Sequence, residues 1–250
     1  MKLALTVRYG YDEELIFAQQ LGADAVVVRF DLGDPQDTDL APVAHRVQVS
    51  GLQLAGVELF GMSDEFRPWS DGLTGALLAA QAAGVDTLLC ASPVRQSATL
   101  AEDLEAIVAT AMATEVMVCL DSSRLLPEEL VWLPAGSVHV ELAVGLTPLE
   151  AGANLAADVG ERVRSGGISA VRFEGGDRPL GDGPLNVAAC VTAMAAAGYD
   201  GLVRAGTAAL LATDDDWNPK GAANDLGYLR AVLQTLDSHR LVTDACRRSP

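Results

Sequence analysis

The sequence predicts an α/β protein, a (β/α)8 or TIM barrel, with residues 1–250 forming a single domain. Three observations carry that expectation. A strand-length apolar run followed by a helical pattern recurs eight times, and alternating units of this kind imply parallel strands with right-handed crossovers. The helical patterns end in glycine or a short polar turn just before the next strand, as in "QQLGADAVVVRF", "QVSGLQLAGVELF", "QAAGVDTLLCAS", "RSGGISAVRFEGG" and "MAAAGYDGLVRAG"; glycine is the common residue just past a helix. The chain of 250 residues has the length of one such barrel. A doubly wound open sheet fits less well, because no GxGxxG follows the first strand.

The elements follow in order. "LALTVRYG" supplies the first strand and "QQLGADAVVVRF" the second. "GLQLAGVELF", "DTLLCAS", "EVMVCLDSS" and "SVHVELAVG" supply the third to the sixth; "ISAVRFEGG" and "GLVRAG" are the last two. Helical patterns occupy residues 12–21, 40–50, 72–83, 97–113, 147–165, 186–197 and 221–238, with a shorter one near 126–132.

Composition narrows the function classes. Half of the residues are hydrophobic and the formal net charge is −17, so a large core is expected and a nucleic-acid or anionic-membrane surface is not. The expected partner is a small carbohydrate-like molecule, with no nucleic acid and no membrane; a homo-oligomer stays open. No secretory pattern is visible in "MKLALTVRYGYDEEL", and no apolar run reaches the roughly 18 residues of a membrane helix. Cys90, Cys119, Cys190 and Cys246 are widely spaced and form no CxxC pair. Buried reduced thiols in a cytoplasmic protein are the expectation.

Side chains alternate across a strand, so each strand can be split into two faces. One face is apolar throughout: Leu3, Leu5 and Val7; Val26, Val28 and Phe30; Val57 and Leu59; Val118 and Leu120; Val138, Val140 and Leu142; Val171 and Phe173. It suits the layer between sheet and helices. The other face starts small and ends charged, reaching Arg8, Arg29, Glu58, Asp121, Glu141, Arg172, Glu174 and Arg204 at the carboxyl ends of the strands. Catalytic groups of such barrels sit at that end. Buried charges are expensive unless paired or wet, so these eight read as the wall of a polar pocket. Arg–carboxylate pairs that merely close the barrel top are the competing reading.

"LTVRYGYDEELIFAQQLGADAVVV", "GLQLAGVELF", "SGGISAVRFEGG" and "GYDGLVRAG" followed by "NPKGAANDLGYLRAVLQTL" resemble the mannonate dehydratase family. "DRPLGDGPLNVAACVTAMAAAGYDGLV" is equally similar to the wider xylose isomerase-like superfamily of sugar isomerases and epimerases. The resemblance implies the barrel fold and an isomerase, epimerase or dehydratase activity in carbohydrate metabolism. It also marks a departure. The family's metal ligands fall at or near Cys119, on Ala143, on Arg172 and past Arg204, where Ala205, Gly206 and Thr207 replace its Asp and His. Arginine is permanently protonated and repels a divalent ion. His45 and His239 read as surface residues and His139 as a satisfied core residue.

The expectation is therefore a divergent barrel that needs no metal cofactor. Arg8, Arg29, Arg172 and Arg204 would hold a small anionic, polyhydroxylated ligand through the guanidinium fork. Glu58, Asp121, Glu141 and Glu174 would exchange protons, as isomerisation or dehydration requires. Two alternatives stay open: an inactive barrel with a binding or regulatory role, and a Mg or Mn ion held by carboxylates alone.

Overall fold

In the computed structural model, residues 1–31, 40–60, 69–91, 97–122, 138–145, 154–175, 178–206 and 219–248 are described. Eight strands pair in sequence order and close: β1 (Lys2–Arg8), β2 (Ala25–Asp31), β3 (Gln53–Phe60), β4 (Thr87–Ala91), β5 (Met117–Asp121), β6 (Val138–Val144), β7 (Ile168–Phe173) and β8 (Leu202–Ala205). The described helices are α1 (Asp12–Gln20), α2 (Ala41–Val49), α3 (Trp69–Ala83), α4 (Ser97–Thr114), α5 (Leu155–Ser165), α6 (Val187–Ala196) and α7 (Pro219–Arg248). This is the expected parallel (β/α)8 barrel. The helical pattern near 126–132 lies outside the described residues. The last helix runs ten residues beyond the expected 238.

Contacts group the chain into two compact units. One holds residues 4–143 and 167–171, the other residues 1–3, 144–166 and 172–250.

In the first unit the pairing β1–β2–β3–β4–β5–β6 is parallel throughout. The apolar face is buried as expected: Val7, Val26, Val57, Leu59, Val118, Leu120 and Val138 are all at or below 3 % exposure. Burying such side chains removes roughly 1.5–3 kcal/mol worth of apolar surface from water for each. A register shift between Val26 and Val27 marks a bulge opposite Leu54 and Gly56, so that Val27 pairs with Gly56. Gly56 is needed there. A Cβ on it would stand 2.8 Å from Leu89 Cδ1 and 2.9 Å from the Thr87 carbonyl oxygen. The buried Leu89 side chain uses the space that Gly56 leaves.

In the second unit, backbone bonds join the later strands. Glu174 N–H donates to the Val144 carbonyl at 2.9 Å, and Gly206 N–H to Phe173 at 2.6 Å. Lys2 N–H donates to Gly201 at 3.1 Å. Asn186 caps α6 by accepting the Ala189 N–H at 3.0 Å, which satisfies one orphan donor of the first turn. The loop between β7 and α6 is fastened to α7: the buried Asp225 carboxylate accepts the Leu180 N–H at 2.7 Å. At Gly181, φ +93, a Cβ would meet the Tyr228 ring at 2.7 Å. Only glycine combines that φ with that closeness.

Candidate functional site

In the first unit the strand pairing sets charged residues side by side. Arg8 pairs with Arg29 and Arg29 with Glu58. Partners in a parallel pair point to one side of the sheet, so these three share a face. Arg29 is 6 % exposed and Glu58 8 %, each at the carboxyl end of its strand. Asp121 pairs with Glu141 in the same way, and Glu141 is 2 % exposed. Just beyond that pair, Ser122 Oγ accepts the Ala143 N–H at 2.9 Å and ties the two strand ends together. Two carboxylates are thus held at paired positions on adjacent strands.

Arg8 has a different neighbourhood from the one expected. Its backbone N–H donates to Glu14 Oε2 at 2.7 Å and its Nε to Glu14 Oε1 at 2.6 Å. The Glu14 side chain is 1 % exposed, so the turn from β1 into α1 closes on a buried carboxylate. Burial pushes the Glu14 carboxyl above its ordinary value, against the pull of the Arg8 N–H and guanidinium. Arg8 therefore clasps its own turn. The sequence reading missed Glu14 because Asp12, Glu13 and Glu14 form an ordinary acidic first turn, favourable at any helix start.

The lower part of this face is quieter. His139 pairs with Cys119, and its Nδ1 lies 2.5 Å from Ser169 Oγ, as a satisfied histidine should. His45 and His239 are exposed. Cys90 and Cys119 are buried free thiols. Desolvation raises the Cys90 thiol far above its ordinary value, and the nearby Cys119, Asp121 and Glu141 push the same way.

In the second unit, Arg172 and Glu174 lie two residues apart at the carboxyl end of β7 and meet as that spacing predicts. Arg172 Nη2 lies 2.9 Å from Glu174 Oε1, and Nε donates to the same oxygen at 3.0 Å. The side chains are 11 % and 32 % exposed, so the pair faces solvent on its carboxylate side. One glycine makes room for Glu174 and a second lies beside it. A Cβ on Gly206 would stand 2.8 Å from its Cγ, and one on Gly145 would stand 3.4 Å from its Oε2. Gly206, where the resembling family carries a ligand-bearing segment, is here the wall of a carboxylate cradle. Arg204, on β8, is wholly buried at 0 % exposure. It contributes a positive charge from within the protein and presents none of its surface to solvent.

The donor set does not fit the metal that the resemblance implies. Among the described residues no three His, Cys, Asp or Glu side chains gather so as to hold an ion. The fifth-strand position is a buried thiol, Cys119, and the seventh-strand position is the cation Arg172. No helix of the described residues is long and apolar enough to cross a membrane.

No protein-family model matches the chain, and no curated protein matches it in sequence. Solved structures do match in shape. An L-ribulose 3-epimerase aligns over 100 % of this chain and 99 % of its own, with TM-score 0.72 and 18 % identity. A D-psicose 3-epimerase from Clostridium cellulolyticum H10, solved with D-tagatose, covers 93 % and 99 %, with TM-score 0.69 and 14 % identity. A xylose isomerase domain protein from Planctomyces limnophilus covers 96 % and 97 %, with TM-score 0.69 and 13 % identity. At these identities the likeness is one of fold: the chain shares the (β/α)8 barrel of these proteins.

Proposed function

We propose that the chain is a metal-independent isomerase or epimerase that acts on a small anionic, polyhydroxylated ligand such as a sugar acid or sugar phosphate. The observation that carries this reading is the Arg172–Glu174 pair at the end of β7. It offers a fixed guanidinium beside a carboxylate that reaches solvent, with both Arg172 contacts on Oε1 and with Oε2 turned toward Gly145. Glu174 takes the proton from the carbon beside the ligand's carbonyl and becomes a carboxylic acid. Arg172 stabilises the negative charge that develops on the enediolate oxygen, a role that fixed donors fill without a metal. Glu174 then delivers that proton to the former carbonyl carbon while the hydroxyl proton of the enediolate passes to the former carbonyl oxygen, which completes the isomerisation. The positive charge of Arg172 supports the metal-independent reading, because a divalent ion beside it would be repelled.

The fold likeness supports a sugar as the substrate class, since the three barrels above are named for epimerisation or isomerisation of sugars. Within the first unit, Arg29, Glu58, Asp121 and Glu141 are further candidate donors and acceptors at strand ends. Arg8 is the weakest member of the substrate set, because Glu14 already holds its Nε and N–H. One observation favours a second reading, a binding barrel without turnover: the Arg172–Glu174 pair is closed on itself.

Solvent exchange separates the two. The protein is incubated in D2O with a panel of sugar acids and ketose phosphates, and deuterium incorporation is followed by NMR. Exchange with at least one ligand, lost in Glu174→Gln, supports the enzyme. Saturable binding with no exchange in any member supports the binding barrel. Exchange that survives Glu174→Gln assigns the proton transfer elsewhere and removes Glu174 from the account.

A further inference from the structure

The chain that follows Glu174 turns back on itself at once. Arg178 N–H donates to the Gly175 carbonyl at 3.4 Å, and a Cβ on Gly175 would stand 2.2 Å from the Arg178 carbonyl oxygen. The same Cβ would stand 3.4 Å from the Leu180 nitrogen. Glycine lets the returning backbone press this closely on the residue bonded to Glu174. That returning segment is gripped from α7. Asp225, 6 % exposed, accepts the Leu180 N–H at 2.7 Å, and the Leu180 side chain is buried. Tyr228, three residues further along α7 and so on the same face, sets its ring where a Cβ on Gly181 would meet it at 2.7 Å. On its other side, the Glu174 backbone is pinned by its N–H to the Val144 carbonyl at 2.9 Å.

We propose, resting on the reading of Glu174 as the proton-transferring group, that Asp225 is a positioning residue: through Leu180 and Gly175 it fixes the Glu174 carboxylate against Arg172. The place of the bond carries this. Asp225 holds the very nitrogen that bears on Gly175, one residue from Glu174. The Glu174 side chain is 32 % exposed and has room to swing outward, so the backbone from which it springs decides whether it meets Arg172. A buried N–H that loses its acceptor is costly, so without Asp225 the Leu180 N–H turns toward water and the turn on Gly175 opens with it. A reacting group displaced by about 1 Å loses on the order of 10²-fold in rate.

Arg172 Nε–H donates to Glu174 Oε1 at 3.0 Å, so its NMR signal reports the pair with no ligand present. In the full chain, Asp225→Ala is expected to speed solvent exchange of that proton at least about tenfold. Asp225→Asn, whose amide carbonyl still accepts the Leu180 N–H, is expected to restore the parent's rate. The Ala189 N–H, capped by Asn186 at the far end of the loop, should stay unchanged in both. Gly175→Ala strikes the same linkage from the other end with Asp225 intact. It should speed exchange of Leu180 N–H and Arg172 Nε–H together, and it decides the matter if Asp225→Ala does not fold. With a ligand present, Asp225→Ala should slow deuterium incorporation at saturation at least about tenfold while the Kd changes little. An Arg172 Nε–H that exchanges as in the parent in Asp225→Ala, or in a Gly175→Ala variant whose Leu180 N–H has been freed, overturns the proposal. So does equal loss in Asp225→Asn, or faster exchange at Ala189 as well. A parent that incorporates no deuterium from any ligand refutes the chemistry assigned to Glu174, and the Nε–H rates still decide whether Asp225 positions it.

Discussion

Replacing Gly206 by alanine puts a methyl group where the Glu174 side chain now lies. The new Cβ would stand 2.8 Å from Glu174 Cγ and 3.2 Å from the Phe173 carbonyl oxygen. Gly206 cannot retreat easily, because its N–H donates to that same carbonyl at 2.6 Å. Glu174 is the part that gives way: its side chain is 32 % exposed and can swing outward, off Arg172. Overpacking of this kind destabilises by about 1–3 kcal/mol. Swinging away relieves much of it and forfeits a part-exposed ion pair worth about 1 kcal/mol or less. The alanine also restrains the unfolded chain, which returns roughly 0.4–1 kcal/mol. A net loss of about 1 kcal/mol is expected, or a Tm lower by roughly 2–4 °C. Gly145→Ala is the control. Its Cβ meets Glu174 at 3.4 Å, an ordinary contact, so the change is expected to be neutral or slightly stabilising. Urea denaturation of both variants, each also made in an Arg172→Met background, gives the answer. If Gly206→Ala acts by breaking the pair, it costs less once Arg172 is gone. An equal cost in both backgrounds, or a Gly145→Ala variant as unstable as Gly206→Ala, refutes the cradle.

Other expectations follow from the buried groups. Desolvation raises the Asp225 carboxyl despite the Leu180 N–H that lowers it, so the folded state holds its proton more tightly than the unfolded state does. Its contribution is full below the ordinary carboxylate value of about 4 and is lost as pH rises through the higher folded value. The parent's stability advantage over Asp225→Asn should therefore shrink from about pH 4 to about pH 7; an advantage that grows over that interval contradicts the burial argument. Cys90, Cys119 and Cys190 are buried, and burial pushes the Cys190 thiol up to about 11. A thiol reagent at about pH 8 should leave these three unmodified in the native protein and label them in urea, as mass mapping would show. Protein prepared without chelator should carry no stoichiometric zinc, manganese or iron by elemental analysis, and one equivalent of any of them refutes the metal-independent reading.

The barrel was legible in the sequence because its signals are local and repeated. Glycine after most helical patterns and period-two alternation in the strands are visible without knowing any contact. Val26, Val57 and Val171 were assigned outward by parity alone and are fully buried. Arg172 and Glu174 were legible for the same reason, since two residues on one strand separated by one point the same way. Glu14 was not, because its role depends on how the chain turns after Arg8, and an acid in a first helical turn has no distinctive spacing. Gly206 was equally silent. It lies at the end of one strand, and its function is the space it leaves for a residue on another.

The most direct test of the central claim is calorimetry on sugar acids, sugar phosphates and neutral sugars, with the parent and Arg172→Met compared. Methionine keeps the length of the side chain and removes the charge. Charged hydrogen bonds worth about 1.5–3 kcal/mol each should give millimolar to micromolar binding after association costs. The account predicts that the parent binds anionic members of the panel, and that Arg172→Met folds normally and loses that binding. Preference for neutral sugars, or anion binding by Arg172→Met equal to that of the parent, contradicts it.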